Sequence, residues 1–241
     1  MGCQNSTIPD SVKIIGDYAF YNCRNLTNIL LPSGLTTIGK DAFYYTGITS
    51  ITIPASVTEI GRWAFSSCSS LTKTNYLGTL KDWVSIDFKG NYSDYSNPIY
   101  YSKNLYINSV LITSITAEDL QGVTSIGNSA FNNCQSLTSV VLPSSITNIG
   151  SSAFYGCKNL TSFTIPSSVT NIGQYAFYNC TGLLSTNGGA GITFEGSTTW
   201  EKANNSTFTS YLSTVDVTNA NQNATWLVST NKYYNYYWRK A

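Results

Sequence analysis

One dipeptide constrains this chain more than any other feature. Ala-Phe recurs at Ala19-Phe20, Ala42-Phe43, Ala64-Phe65, Ala130-Phe131, Ala153-Phe154 and Ala176-Phe177, at successive separations of 23, 22, 66, 23 and 23 residues. The long gap is three times 22, so the period survives it. A fixed period of this length is the mark of a repeat architecture, in which each unit is one supersecondary element.

The unit from Cys157 to Cys180, CKNLTSFTIPSSVTNIGQYAFYNC, is the cleanest copy. Leu160, Phe163, Ile165, Val169, Ile172, Ala176 and Phe177 are too many apolar side chains for so short a segment to bury alone. Stacking one unit on the next buries them in a continuous core, which is the logic of a solenoid. Phe163 and Ile165 alternate with Ser162 and Thr164, as in a half-buried strand. Pro166 has no N–H for a ladder and ends that strand. Gly173 is expected to free the backbone for a turn, and the Ala-Phe segment has room for only a turn or two of helix.

The pattern L-T-S-ϕ-x-I-P-S-S-V-T-x-I-G-x-x-A-F-x-x-C resembles the BspA-like leucine-rich repeat family. Four close copies and two partial ones carry the resemblance over residues 8–184, with an irregular middle. It implies a right-handed leucine-rich-repeat-like array, with a short β-strand and a short helical turn per coil, followed by a small β-rich C-terminal cap. It further implies a non-catalytic surface or secreted protein that adheres to a protein or carbohydrate ligand, host extracellular matrix included. A structural spacer within a larger envelope protein is the alternative.

Composition narrows the partners. Charged residues make up 10% of the 241 positions and the net charge is +1, against about a quarter charged in average proteins. A nucleic-acid binder shows a basic face, so nucleic acid is not expected. No run of about 18 apolar residues is present to span a membrane. No signal peptide is visible at the amino terminus, so a surface location requires a removed leader, with the cytoplasm as the alternative. A monomer is expected.

Along the chain, Met1-Gly2-Cys3-Gln4-Asn5-Ser6 fits an N-myristoylation pattern, but its match to Gly156-Cys157-Lys158-Asn159 reads better as a clipped first repeat. Residues 9–31 and 32–53 are two good repeats, and a third begins at Pro54 and loses register after Leu71. Residues 72–121 form an irregular aromatic insert, most simply two degenerate coils with an outgrown loop. Within it, Trp83 to Phe88 reads as a strand with Val84, Ile86 and Phe88 on one face. Residues 89–98 read as a loop and 100–115 as extended chain. Three clean repeats then run to Leu184. Residues 185–191 read as a linker, and 192–241 as a C-terminal cap or small β module with strands at Ile192–Phe194 and Thr214–Val217.

No catalytic, cofactor-binding or metal-ligating residues are expected. The chain has no histidine, which removes the Ser-His and Cys-His arrangements of nucleophilic catalysis. Of the acids, Asp82, Asp87 and Asp94 share a region but no recognisable motif. Five of the six cysteines, Cys23, Cys68, Cys134, Cys157 and Cys180, occupy one repeat position. Stacking would bring neighbours within bridging distance, yet Thr46 replaces one of them, so a ladder of free buried thiols is expected.

The candidate partner-binding residues are aromatic. Tyr21, Tyr44, Tyr155 and Tyr178 follow the Ala-Phe pair, while Tyr18, Trp63 and Tyr175 precede it, forming two stripes opposite the strands. They read either as a second packing layer or as a platform. The strand face carries Asn28, Ser50, Thr52, Ser139, Ser162 and Thr164, which predicts a flat hydroxylic surface. In the insert, Trp83, Tyr92, Tyr95, Tyr100 and Tyr101 are candidates because loops on a rigid scaffold carry function.

Overall fold

The computed structural model describes residues 3, 7–90, 95–196, 199–203, 211–217, 220–228 and 237–240. The chain divides into two compact units, residues 1–112 and 113–241.

In unit 1 the elements follow in the order β1 (Ile14–Ile15), β2 (Thr37–Ile38), β3 (Ser50–Ile53), β4 (Glu59–Ile60), β5 (Lys73–Tyr76), α1 (Leu80–Val84), β6 (Asp87–Phe88), α2 (Ile99–Ser102), β7 (Leu105–Ile107) and β8 (Val110–Leu111). They build two sheets, ordered β1-β2-β4-β6 and β3-β5-β7-β8, all parallel except the β7–β8 pair. Alternation explains β3: Ile51 and Ile53 are buried while Thr52 is exposed. Pro54 ends the strand and accepts from the Val57 amide at 3.1 Å, the tight turn repeated after each strand proline.

The Ile-Gly step needs glycine for closeness, not for turning. A Cβ on Gly61 would stand 2.5 Å from the Gly39 carbonyl carbon, and one on Gly173 would stand 2.3 Å from the Ser151 amide. Neither residue has positive φ, so the expected role of Gly173 as a backbone hinge is corrected: it lets one coil lie directly on the next.

The Ala-Phe segments also depart from expectation, being turns rather than helix. The residue before each pair (Tyr18, Asp41, Trp63, Ser129, Ser152, Tyr175) has φ of 53–59°. The residue two beyond each Phe (Asn22, Tyr45, Ser67, Asn133, Gly156, Asn179) is also left-handed, with φ of 56–70°. Left-handed residues break any helix, and here they aim alternate amides at the next coil. The amides of Tyr18, Phe20 and Asn22 donate to the carbonyls of Lys40, Ala42 and Tyr44 at 2.9, 2.8 and 2.7 Å. Those of Asp41, Phe43 and Tyr45 donate in turn to Arg62, Ala64 and Ser66 at 3.0, 2.8 and 2.9 Å. Each repeat is thus tied to its neighbour by a ladder of turns as well as by two sheets.

Inside, the repeat phenylalanines form columns. Phe20–Phe43 and Phe43–Phe65 stack with centroids 5.2 and 5.3 Å apart, and Phe131–Phe154 and Phe154–Phe177 at 5.3 and 5.6 Å. Each such contact adds roughly 0.5–1.5 kcal/mol beyond area burial.

Within unit 1 the described residues of the insert form an enlarged coil. β5 pairs with β3 and β6 with β4, so both sheets continue past Leu71. Trp83 and Val84, expected in a strand over Trp83 to Phe88, instead end a helix. Thr79 and Asp82 form a reciprocal capping box that starts α1, and the strand is confined to Asp87–Phe88. Tyr100 to Ser102 likewise belong to a helical turn rather than extended chain. After β7 the chain reverses into β8.

Unit 2 contains β9 (Ser114–Ile115), β10 (Ser125–Ile126), β11 (Ser139–Val141), β12 (Asn148–Ile149), β13 (Ser162–Ile165), β14 (Asn171–Ile172), β15 (Gly191–Phe194), β16 (Thr199–Ala203), β17 (Tyr211–Asp216), α3 (Ala220–Val228) and β18 (Tyr237–Lys240). Here Thr116 and Asp119 form a second Thr-x-x-Asp box, and the Leu120 carbonyl accepts from Val123 as a strand proline would. One sheet runs β9-β11-β13-β15; the other runs β10-β12-β14 and continues through antiparallel β18, β16 and β17. The polar C-terminal segment therefore extends both sheets. The Asn223 side-chain amide holds it by donating to the carbonyls of Ile192 and Val217 at 2.9 and 2.8 Å. Trp200 and Trp238 are buried there. Residues 185–187 form a 3₁₀ turn, and the Ala190 amide donates to Thr161 at 2.8 Å.

Two surface expectations change. Cys3 and Cys23 form a disulfide, with Cα atoms 5.1 Å apart, so Cys23 is not free; Cys68, Cys134, Cys157 and Cys180 are the free buried thiols. The strand face is not uniformly hydroxylic, because Leu30, Leu77 and Val141 are exposed on it, Leu30 by 74%. No helix among the described residues is long and apolar enough to cross a membrane.

Candidate functional site

The turn ladder decides where the aromatic side chains go. Its left-handed residues turn their side chains off the coil edge, and the period stacks equivalent positions into columns. In unit 1 the column before Ala-Phe reads Tyr18, Asp41, Trp63, and the column after it reads Tyr21, Tyr44, Ser66. Tyr21 and Tyr44 stack at 5.0 Å with planes 8° apart. At the next repeat this column carries Ser66, so the repeat supplies no third ring.

These two columns and Tyr95 of the enlarged coil enclose a cleft of about 530 Å³ lined by Tyr18, Tyr21, Lys40, Asp41, Tyr44, Trp63, Ser66 and Tyr95. Asp41 is 5% exposed and opens into it. Burial pushes its carboxyl above the usual carboxylate range, against the pull of the neighbouring Lys40 ammonium. Lys40 Nζ lies 3.9 Å from Asp41 Oδ2, 5.3 Å from the Tyr18 ring centroid and 5.6 Å from that of Trp63. A hydrogen bond to Tyr18 raises the Lys40 pKa. The Arg62 guanidinium lies 4.0 Å from the Trp63 centroid. Among the described residues the Asp41 carboxylate accepts no hydrogen bond.

Of the residues singled out from sequence, Tyr21, Tyr44, Trp63 and Tyr95 meet in this cleft. Tyr100 and Tyr101 sit behind Tyr95, with centroids 4.1 and 6.4 Å from it, and the Tyr101 hydroxyl accepts from the Ser67 amide at 2.7 Å. Tyr101 is thereby tied to the third repeat. Tyr155 and Tyr178 are in unit 2, half-buried, with rings 5.1 Å apart. Trp83 is a correction: it is fully buried, edge-on between Tyr76 and Phe88 at 5.3 and 5.4 Å, because helix α1 turns it inward. Tyr92 lies outside the described residues.

Asp41 and Lys40 were missed from sequence, although a signal was present. Aligning the column before Ala-Phe puts an acid between Tyr18 and Trp63, where the other coils have an aromatic residue or serine. The acids that sequence did single out are engaged locally. Asp82 is held below the usual carboxylate range by hydrogen bonds from Thr79, Asp87 pairs with Lys89, and Asp94 lies outside the described residues. Among the described residues no group of three or more His, Cys, Asp or Glu side chains is arranged to hold a metal ion.

A profile of the BspA type Leucine rich repeat region matches six copies across residues 2–93 and 99–224. Among solved structures, a leucine rich cell surface protein of Faecalibacterium prausnitzii A2-165 is 28% identical over 80% of this chain and 60% of its own length, with a TM-score of 0.38. A leucine-rich repeat protein of Eubacterium ventriosum is 21% identical over 79% of this chain and 60% of its own, with a TM-score of 0.44. The Treponema pallidum leucine rich repeat protein is 25% identical over 79% and 72%, with a TM-score of 0.38. The chain spans 60% of the length of the first two of these proteins. No curated protein sequence is similar to it. With the repeat profile matched through nearly all of both units, the chain belongs to the BspA-type leucine-rich repeat family.

Proposed function

We propose that this protein is a non-catalytic binding protein of the cell surface or extracellular space, which presents the side chains of a rigid right-handed solenoid to a protein or glycan partner. Residues 1–184 form the solenoid in this reading, and residues 192–241 cap its last coil. Extension of both unit 2 sheets by β15 and β18 supports the capping role. The relative from F. prausnitzii, a cell surface protein, supports the location.

The observation that carries the reading is the aromatic cleft of unit 1. Its rings stand on a backbone whose alternate amides are consumed in coil-to-coil hydrogen bonds, so the surface is preorganised. Preorganised aromatic side chains give contact area at low entropic cost. The test is capture of host-cell or matrix components by the immobilised protein, compared with the Tyr44→Ala, Trp63→Ala double variant. Loss of capture in the double variant, with its melting temperature retained, is expected. Equal capture by both proteins would move recognition elsewhere.

A further inference from the structure

We propose that the unit 1 cleft is a carbohydrate site taking a neutral hexopyranose oligosaccharide, with Asp41 as the acceptor for sugar hydroxyls; this rests on the binding reading above and names its ligand class.

Three observations lead there. The first is the end of the ring column at Ser66. Tyr21 and Tyr44 stack at the coil spacing, and Ser66, at the next rung, lines the cleft beside Tyr44 without supplying a ring. A flat ligand in the cleft lies against the lining rings, and a pyranose presents an apolar C–H face to an aromatic ring. The volume lies within the roughly 300–1,000 Å³ of ligand clefts.

The second is the carboxylate. A buried charge needs pairing and hydrogen bonds. Asp41 has the pairing, from Lys40 at 3.9 Å, and lacks the hydrogen bonds, although an ionised carboxylate has about four acceptor sites. Vicinal hydroxyls are donors spaced to meet two carboxylate oxygens together. The Lys40 ammonium beside them donates to oxygens of the same ring. An acid and a base side by side match groups that both donate and accept.

The third is the set of ligands the site disfavours. A cationic ligand would compete with Lys40, whose ammonium already sits between Tyr18 and Trp63 and against Asp41. An extended peptide adding by strand pairing needs backbone donors. Along this face the amides of Tyr18, Phe20, Asn22, Asp41, Phe43 and Tyr45 are already bonded to the next coil. An acidic sugar would bring its charge against Asp41. Neutral hydroxyl-bearing rings avoid all three conflicts.

Saturation-transfer NMR on the whole chain with maltotetraose and cellotetraose, alongside an array of neutral and acidic glycans, tests the proposal. Binding to a neutral oligosaccharide is expected, weakened at least about tenfold in Asp41→Asn, since the hydrogen bonds lost are to a charged group. Ser66→Tyr, which puts a bulky ring on the cleft lining, is expected to abolish binding. Tyr155→Ala in unit 2 should leave it unchanged, and thermal melts establish that each variant folds. Absence of any neutral-glycan signal at about 10 mM, weaker than any useful affinity, overturns the proposal. So does binding that ignores both Asp41→Asn and Ser66→Tyr, or binding restricted to acidic glycans. Capture of a protein through Tyr44 and Trp63 without sugar binding would overturn the carbohydrate assignment and leave the binding function standing. Failure of both experiments would remove both.

Discussion

The two units use the same backbone device for different surfaces. In unit 1 the columns beside the Ala-Phe turns read Tyr18, Asp41, Trp63 and Tyr21, Tyr44, Ser66; in unit 2 they read Ser129, Ser152, Tyr175 and Asn132, Tyr155, Tyr178. The left-handed φ values match across both sets, as does the amide ladder, with Phe131 donating to Ala153 at 2.7 Å just as Phe20 donates to Ala42 at 2.8 Å. The comparison shows that the turn geometry does not depend on the side chain it carries. Left-handed backbone costs an ordinary residue about 1–2 kcal/mol, and the coil-to-coil hydrogen bonds offset it at tyrosine, aspartate, tryptophan and serine alike. Side chains at these positions are therefore open to variation, and only unit 1 places an acid between aromatic rings.

If the shared scaffold is common to both units, damage to it should cost the same in each. Phe43→Ala and Phe154→Ala should each lose about 3–5 kcal/mol, the usual cost of deleting a buried phenylalanine. Urea unfolding measures this, and a large asymmetry would break the equivalence. The disulfide belongs to unit 1 alone. Its separation of 20 residues predicts that Cys3→Ser, Cys23→Ser lowers stability by about 3 kcal/mol. Glycines sharpen the picture next. Gly61→Ala and Gly173→Ala should cost about 1–3 kcal/mol, because the added methyl meets backbone of the coil before. Gly16→Ala, at the same repeat position but with open space around it among the described residues, should be neutral or slightly stabilising. Melting temperatures that fall equally in all three would remove the close-approach explanation.

The smallest effects are chemical. Burial pushes the Cys68 thiol up to about 11 and raises Cys157 well above its ordinary value. All four free thiols are buried, so a disulfide exchange reagent at pH 8 should detect none of them in the folded protein and all four after unfolding. Asp41 is an acid whose folded pKa is raised, so its ionisation opposes folding above the unfolded carboxylate value and ceases to matter below it. Asp41→Asn should therefore gain a little stability at pH 7, a gain that vanishes as pH falls through and below the ordinary carboxylate value of 3.8. Carrying an acid at some cost to stability is what a binding residue would do. Equal pH profiles for the two proteins would remove that argument.

Much of the scaffold was legible beforehand because its signal is periodic. The Ala-Phe pairs, the strand prolines and the alternation at Ile51 and Ile53 each repeat, and each repetition reports the same burial. The enlarged coil was harder to read. Trp83, Val84, Ile86 and Phe88 satisfy a strand pattern, but the Thr79–Asp82 box starts a helix just ahead of them, and that helix carries Trp83 into the core. Tyr95, Tyr100 and Tyr101 lie together in the structure, while Tyr155 and Tyr178 share only their repeat position with the cleft. Asp41 escaped notice because its significance depends on Tyr18 and Trp63, 23 and 22 residues away.

The sequence by itself determined the repeat, its stacking core, the family and the columns that the side chains occupy, since all of these follow from a period and the burial of apolar residues. Only the tertiary structure decided what the columns make. It showed that the Ala-Phe turns are left-handed rungs, that glycine serves closeness rather than turning, and that Cys3 reaches Cys23. It also showed that an unremarkable aspartate opens into a slot between rings. Those features depend on distances between coils, and a distance between residues far apart in sequence exists only once the chain has folded.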